Sequence, residues 1–265
     1  MADHSGMKLG KLPRRDEARL PPLRRYLGAT SPGGPALPPV PARCERGSAV
    51  ASWPMLDNDT IGDCTIAAVG HAVQLWSAVA ERMRVMSDAE ALAGYEAFGY
   101  RPGDPSTDRG ANAADVLTRW SGSGFACGGT VDVLAGFCAI DPAQQDEVRA
   151  GAAWLGVVYA GIELPLAAQQ MDLWDAPSSA AELVGNYEPG SWGGHAVPIV
   201  GYGPGRVTCV TWGALKRITW RFWAAYASEA YGLLSRDFVI GNASAAAVDW
   251  GQLEVDMADL RREAV

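Results

Sequence analysis

Apolar positions change their spacing part-way along this chain. Over residues 64–84 they recur at helical intervals, with Ile66, Ala67, Val69, Ala72, Val73, Leu75, Trp76, Val79 and Met83 covering most of the circumference. That pattern predicts a central helix buried on nearly every side. Ser87-Asp88-Ala89-Glu90 reads as a capping box opening a second helix over 88–97. A loop from Gly99 to Gly110 leads to a third helix over 112–121, stopped by Gly122-Ser123-Gly124. Asp141-Pro142 marks the start of a fourth that runs to Leu155. Beyond it the apolar runs shorten and become β-branched. Residues 156–164, 196–202 and 207–212 read as strands, the last two forming a hairpin. Residues 165–176 are helical or irregular, 218–227 are aromatic-rich, and 231–234 lead toward a final strand near Phe238-Val239. Helices first and strands later predict an α+β fold with two facing halves.

Residues 1–47 break the pattern. Ser31-Pro32-Gly33-Gly34-Pro35 and Pro38-Pro39-Val40-Pro41 interrupt any helix or strand, and only Arg15 to Tyr26 leaves room for a short helix. The segment reads as a basic, proline-rich arm ahead of a domain over 48–265. It holds 9 basic and 4 acidic side chains, whereas the remainder holds 13 basic and 26 acidic. A basic arm beside an acidic body is suited to pack on that body or to reach a partner. A partly ordered tail is the plainer reading. A removable prosegment is disfavoured by the stretch being short and rich in proline.

The net charge of −8 over 265 residues argues against nucleic acid as the main partner. No apolar span is long enough for a membrane helix, and Met1 to Ser5 opens no segment of signal-peptide type, so a cytoplasmic protein without a membrane partner is expected. Five cysteines without a CxxC pair suggest neither a disulfide framework nor a structural zinc site, and no cofactor or metal is expected.

The chemistry concentrates at two positions 131 residues apart, Cys64 and His195. Gly62 permits a tight loop before the first helix, and Asp63 reads as its N-cap. Cys64 then falls in the first turn, where the helix dipole and free N–H groups stabilise a thiolate. His195 follows Gly193-Gly194, which leaves its ring accessible in a groove, and imidazole can take the thiol proton. His71 lies about 10 Å along the helix from Cys64, at ~1.5 Å rise per residue, too far for a hydrogen bond, and reads as structural. Asn58, six residues before Cys64, is a candidate oxyanion donor beside the Cys64 N–H, or an Asx-turn residue. Gly201-Tyr202-Gly203-Pro204-Gly205 lacks the order of a phosphate loop and reads as a hairpin turn.

The order of motifs resembles the papain-like cysteine peptidases over about residues 50–240. Asn58 to Ala68 resembles the family's nucleophile segment, and Ser87 to Leu92 the stretch after its central helix. Asp108-Arg109-Gly110-Ala111-Asn112 resembles the following glycine turn. Gly193-Gly194-His195-Ala196-Val197 with Val200-Gly201-Tyr202-Gly203 resembles the histidine segment, and Thr211-Trp212-Gly213 the family's Asn-Ser-Trp-Gly. The resemblance implies a papain-like α+β fold, a helical half and a β-rich half flanking a cleft. It implies Cys64 as nucleophile, His195 as base, and acyl transfer on peptide or isopeptide bonds of a peptide or protein substrate. Three positions depart from the family. Asn58 stands for its glutamine, Thr65 for its aromatic, and Val210 for the asparagine that orients its histidine. Thr211 is the nearest polar neighbour, but alternation turns it away from the side of Val210.

Two functions follow. One is a cysteine hydrolase using Cys64 and His195, with Asn58 and Thr211 as accessory candidates. The other is a weak or inactive papain-like fold acting as a structural protein, its arm binding an assembly partner in, for example, a virus particle. An acyl transferase using the same pair is a third.

Overall fold

A computed structural model describes residues 3–15, 20–26, 39–240 and 249–263. In chain order the strands are β1 (Cys44–Glu45), β2 (Phe125–Cys127), β3 (Thr130–Asp132), β4 (Gly136–Ile140), β5 (Val158–Leu164), β6 (Leu173–Trp174), β7 (Gly193–Gly203), β8 (Arg206–Thr211), β9 (Ala214–Thr219) and β10 (Ala227–Leu234). The helices are α1 (Cys64–Val79), α2 (Asp88–Glu96), α3 (Ala113–Gly122), α4 (Gln145–Leu155), α5 (Trp220–Tyr226), α6 (Arg236–Ile240) and α7 (Trp250–Glu263). Helices α1–α3 form one half. The other half is an eight-stranded sheet in the order β4-β10-β5-β7-β8-β9-β6, with β1 added on β7. This is the expected α+β architecture.

Helix α1 is the spine. Fourteen of its residues, Cys64 through Ser77, are buried, which is why its sequence is apolar all round. Trp76 packs on Trp120 of α3 with ring centroids 5.8 Å apart and donates to the Leu155 carbonyl at 3.2 Å. A fully buried side chain of this kind contributes about 1.5–3 kcal/mol. The helix stops at Val79, short of the expected residue 84, because Glu81 takes a left-handed φ of 56° and the Arg82 N–H turns back to the Ser77 carbonyl.

Several expected boundaries need correction. Helix α4 starts at Gln145, because Asp141-Pro142 is used as a turn in which the Asp141 carboxylate accepts from the Ala143 N–H at 2.9 Å. Phe238 lies in α6, and the last strand of the sheet is β10, which carries the 231–234 run. Strands β2, β3, β4, β9 and helices α5 and α7 were not anticipated. The β7–β8 hairpin was, and it carries a bulge. Ile199 faces Cys209, yet Gly201 faces Thr208.

The arm is partly built into the body. Leu23 and Tyr26 are buried, Tyr26 donates to Asp256 of α7 at 2.8 Å, and Cys44 pairs with Tyr202. Residues 3–15 run between the two halves. The expected arm residues 16–19 and 27–38 lie outside the described residues.

Candidate active site

The chain before α1 is a strained loop. Leu56 and Asp57 both take left-handed φ, 59° and 58°. The loop is held by Asp108, which accepts from the Gly62 N–H at 3.0 Å and from the Tyr95 hydroxyl at 2.7 Å. Cys64 is thereby fixed as the first residue of α1. Asp63 does occupy the N-cap, but its side chain makes no capping bond; its backbone carbonyl accepts from Ile66 and Ala67. Among the described residues neither carboxyl oxygen of Asp63 meets a hydrogen-bond partner. Burial pushes this carboxyl well above its ordinary range.

The fold brings Cys64 to the histidine segment. The Cys64 sulfur accepts from the Ala196 N–H at 3.4 Å, one residue from His195. The His195 ring is fully buried, stacks on Trp212 at 4.7 Å, and meets the Thr211 hydroxyl through Nε2 at 2.7 Å. Its Nδ1 has no hydrogen-bond partner among the described residues.

Thr211, not Val210, therefore touches the histidine. The bulge explains why alternation misled. With Ile199 facing Cys209, residues 209 and 211 share the face of 195, 197 and 199. Without the extra residue at 200, Val210 would have taken that face. Asn58 is buried, and its amide donates to the Ile61 carbonyl at 3.4 Å, within its own turn. His71 is set apart from the site, with Nε2 on the Pro54 carbonyl at 2.9 Å and its ring edge-on to Trp53.

What the sequence did not reveal is that the cleft is filled by the chain's own N-terminal segment. The Ala111 N–H donates to the Gly10 carbonyl at 2.8 Å, the Leu12 N–H to the Ala111 carbonyl at 3.0 Å, and the Lys11 N–H to the Gly194 carbonyl at 3.1 Å. One strap thus binds both walls. The Asn112 amide donates to the Pro13 carbonyl at 3.0 Å and the Trp212 indole to the Lys8 carbonyl at 3.3 Å, while His4 stacks on Trp212 at 5.1 Å. A Cβ on Gly10 would collide with the Gly62 carbonyl, and one on Gly194 with the Lys11 carbonyl. The opposite charges of arm and body were the signal that could have found this packing.

Burial sets the electrostatics. Burial pushes the Cys64 thiol up to about 12, although the Ala196 and Gly10 amides and the Lys11 ammonium favour the thiolate. Burial pulls His195 down to about 3. At neutral pH the pair rests as neutral thiol and neutral imidazole. Among the described residues no cluster of three His, Cys, Asp or Glu side chains could hold a metal ion.

The fold is shared with solved structures. Xylellain, a cysteine protease from Xylella fastidiosa, superposes with a TM-score of 0.61 at 12% identity, over 89% of this chain and 98% of that one. The fold is that of the papain-like cysteine proteases. A Carica candamarcensis cysteine protease in complex with E-64 gives 0.51 at 16% identity, over 74% and 99%. Digestive procathepsin L 3 of Tenebrio molitor gives 0.55 at 14%, over 84% and 75%. No protein-family model and no curated protein matches the sequence of this chain.

Proposed function

We propose that this chain is a cysteine peptidase resting with its own N-terminal segment in the cleft. The observation that carries the reading is the Cys64 sulfur at the start of α1, hydrogen-bonded next to a histidine whose far nitrogen is held by Thr211. A hydroxyl can accept from or donate to Nε2, so Thr211 serves His195 in either tautomer. The free Nδ1 is the atom that exchanges a proton with the thiol. Once the strap leaves, water reaches the site, the thiolate is no longer penalised by burial, and the helix N-terminus favours it. The thiolate attacks a peptide carbonyl, the C–N bond breaks, and the amine departs with a proton from His195. Water, deprotonated by His195, then splits the thioester and restores the thiol. The Asn58 amide, freed from the Ile61 carbonyl, is a donor to the oxyanion together with the Cys64 N–H. Peptides or proteins are the substrates.

The test is hydrolysis of an unstructured protein such as casein by the full chain carrying Gly10→Val, which displaces the strap. Cleavage abolished by Cys64→Ala, slowed by His195→Ala, and reduced in kcat with little change in KM by Thr211→Val is the expected result. No cleavage, with Cys64 alkylation indifferent to His195→Ala, would overturn it and leave the fold as a binding scaffold.

A further inference from the structure

Lys11 is a cation delivered into the body by the strap, and what receives it is built. Its side chain is completely buried. Nζ lies 2.9 Å from Glu229 Oε1 on β10 and 2.9 Å from Glu163 Oε1 on β5, and also donates to the Leu12 carbonyl at 3.1 Å. The carboxylates are held from behind. The Tyr231 hydroxyl donates to Glu229 Oε2 at 2.6 Å, and the Ser228 hydroxyl to Glu163 Oε1 at 3.2 Å. Gly161 makes the room. A Cβ there would stand 2.7 Å from Lys11 Cδ and 2.5 Å from Glu229 Cγ. The pocket is closed at Glu229, whose side chain is 1% exposed, and open to water at Glu163, 31% exposed.

Two carboxylates on adjacent strands, one of them buried, are costly without a cation between them. Burial pulls the Lys11 ammonium down, but the two carboxylates outweigh it and leave it above its ordinary value. The Lys11 backbone also sits on Gly194, beside the histidine. Resting on the peptidase reading, we infer that the Glu163–Glu229 pocket is a subsite for a basic side chain of the substrate, with Lys11 its resting occupant. Lysine fills it to the buried carboxylate. Arginine reaches the same carboxylate, and the open side accommodates its wider head.

Two measurements on the full chain test this. In the first, Lys11→Ala empties the pocket, and n-butylammonium is added against sodium at equal ionic strength. Butylammonium is expected to raise the melting temperature of Lys11→Ala, and to leave wild type and Lys11→Ala/Glu229→Gln unmoved. Equal melting of Lys11→Ala in both salts would overturn the inference without touching the peptidase reading. In the second, a positional library of fluorogenic peptides is offered to Gly10→Val, which leaves the pocket residues intact should Lys11→Ala fail to fold. Lysine and arginine are expected to exceed norleucine by about tenfold or more in kcat/KM at one position, the gain of a charge-assisted pair, and Glu229→Gln to erase the preference. Cleavage with no basic preference at any position would overturn the inference. Absence of all cleavage would count against the peptidase reading, and the butylammonium result would still decide the pocket.

Discussion

Helices α1 and α2 begin in opposite ways. At α2 the Ser87 hydroxyl accepts from the Glu90 N–H at 3.3 Å, and the Glu90 carboxylate accepts from the Ser87 N–H at 2.8 Å. Both of these N–H groups are taken by the helix's own side chains. At α1 the N-cap carboxyl of Asp63 is buried with no hydrogen-bond partner among the described residues, and the sulfur of Cys64 takes an amide from β7. A helix start closed by its own cap is stable and inert. One left uncapped costs stability and keeps its positive end available for chemistry. Stability has been given up at α1 and kept at α2, as the proposed role of Cys64 requires.

The largest expected effect that bears on this contrast is the removal of the strap. Gly10→Val should raise the rate of Cys64 alkylation by iodoacetamide at pH 8 by up to about 10³, since a thiol at about 12 is ~10⁻⁴ ionised there and an ordinary thiol about a quarter. Mass spectrometry of the intact chain reads it; an unchanged rate would mean that something other than the strap holds the thiol neutral. Asp63→Asn comes next. The folded carboxyl keeps its proton to a higher pH than the unfolded one, so the native state binds more protons and stability falls as pH rises through the folded value. The substitution should therefore raise the melting temperature more at pH 8 than at pH 4. It should also speed Cys64 alkylation modestly, because Asp63 opposes the thiolate. A greater gain at pH 4 would contradict the assignment. Smallest is Ser87→Ala, which should cost about 1 kcal/mol, or ~2 °C in a chain of this size, and leave alkylation of Cys64 unchanged. If it altered the alkylation rate, the two termini would not be independent.

Local signals were legible in the sequence where neighbouring residues decide the outcome. The capping box at Ser87, the all-round apolar face of α1 and the β7–β8 hairpin belong to this class, and the Cys64 sulfur meets the Ala196 amide of the histidine segment. Asp63 failed as a side-chain cap because its carboxyl turns into a buried space, a tertiary matter. Thr211 stood among the accessory candidates, but its facing was misread, because one extra residue in β7 reverses the facing of β8 without a mark in composition. Lys11, Glu163 and Glu229 escaped because their partnership spans the whole chain; only the charge contrast between arm and body hinted at it. Strands β2 and β3 are three residues each, too short for a periodic signal.

Gly62 and Gly194 do not need to be glycine for their own backbones, since neither takes a left-handed φ, unlike Gly110 at 78°. What bars a side chain at Gly194 is the strap, whose Lys11 carbonyl presses on it; at Gly62 the strap residues Leu9 and Gly10 share that role with the Asp108 carboxylate. The body thus carries in its own sequence an imprint of the arm. A related chain with alanine or serine in place of Gly194 must route its N-terminus elsewhere, and its cleft would stand open from the moment it folds.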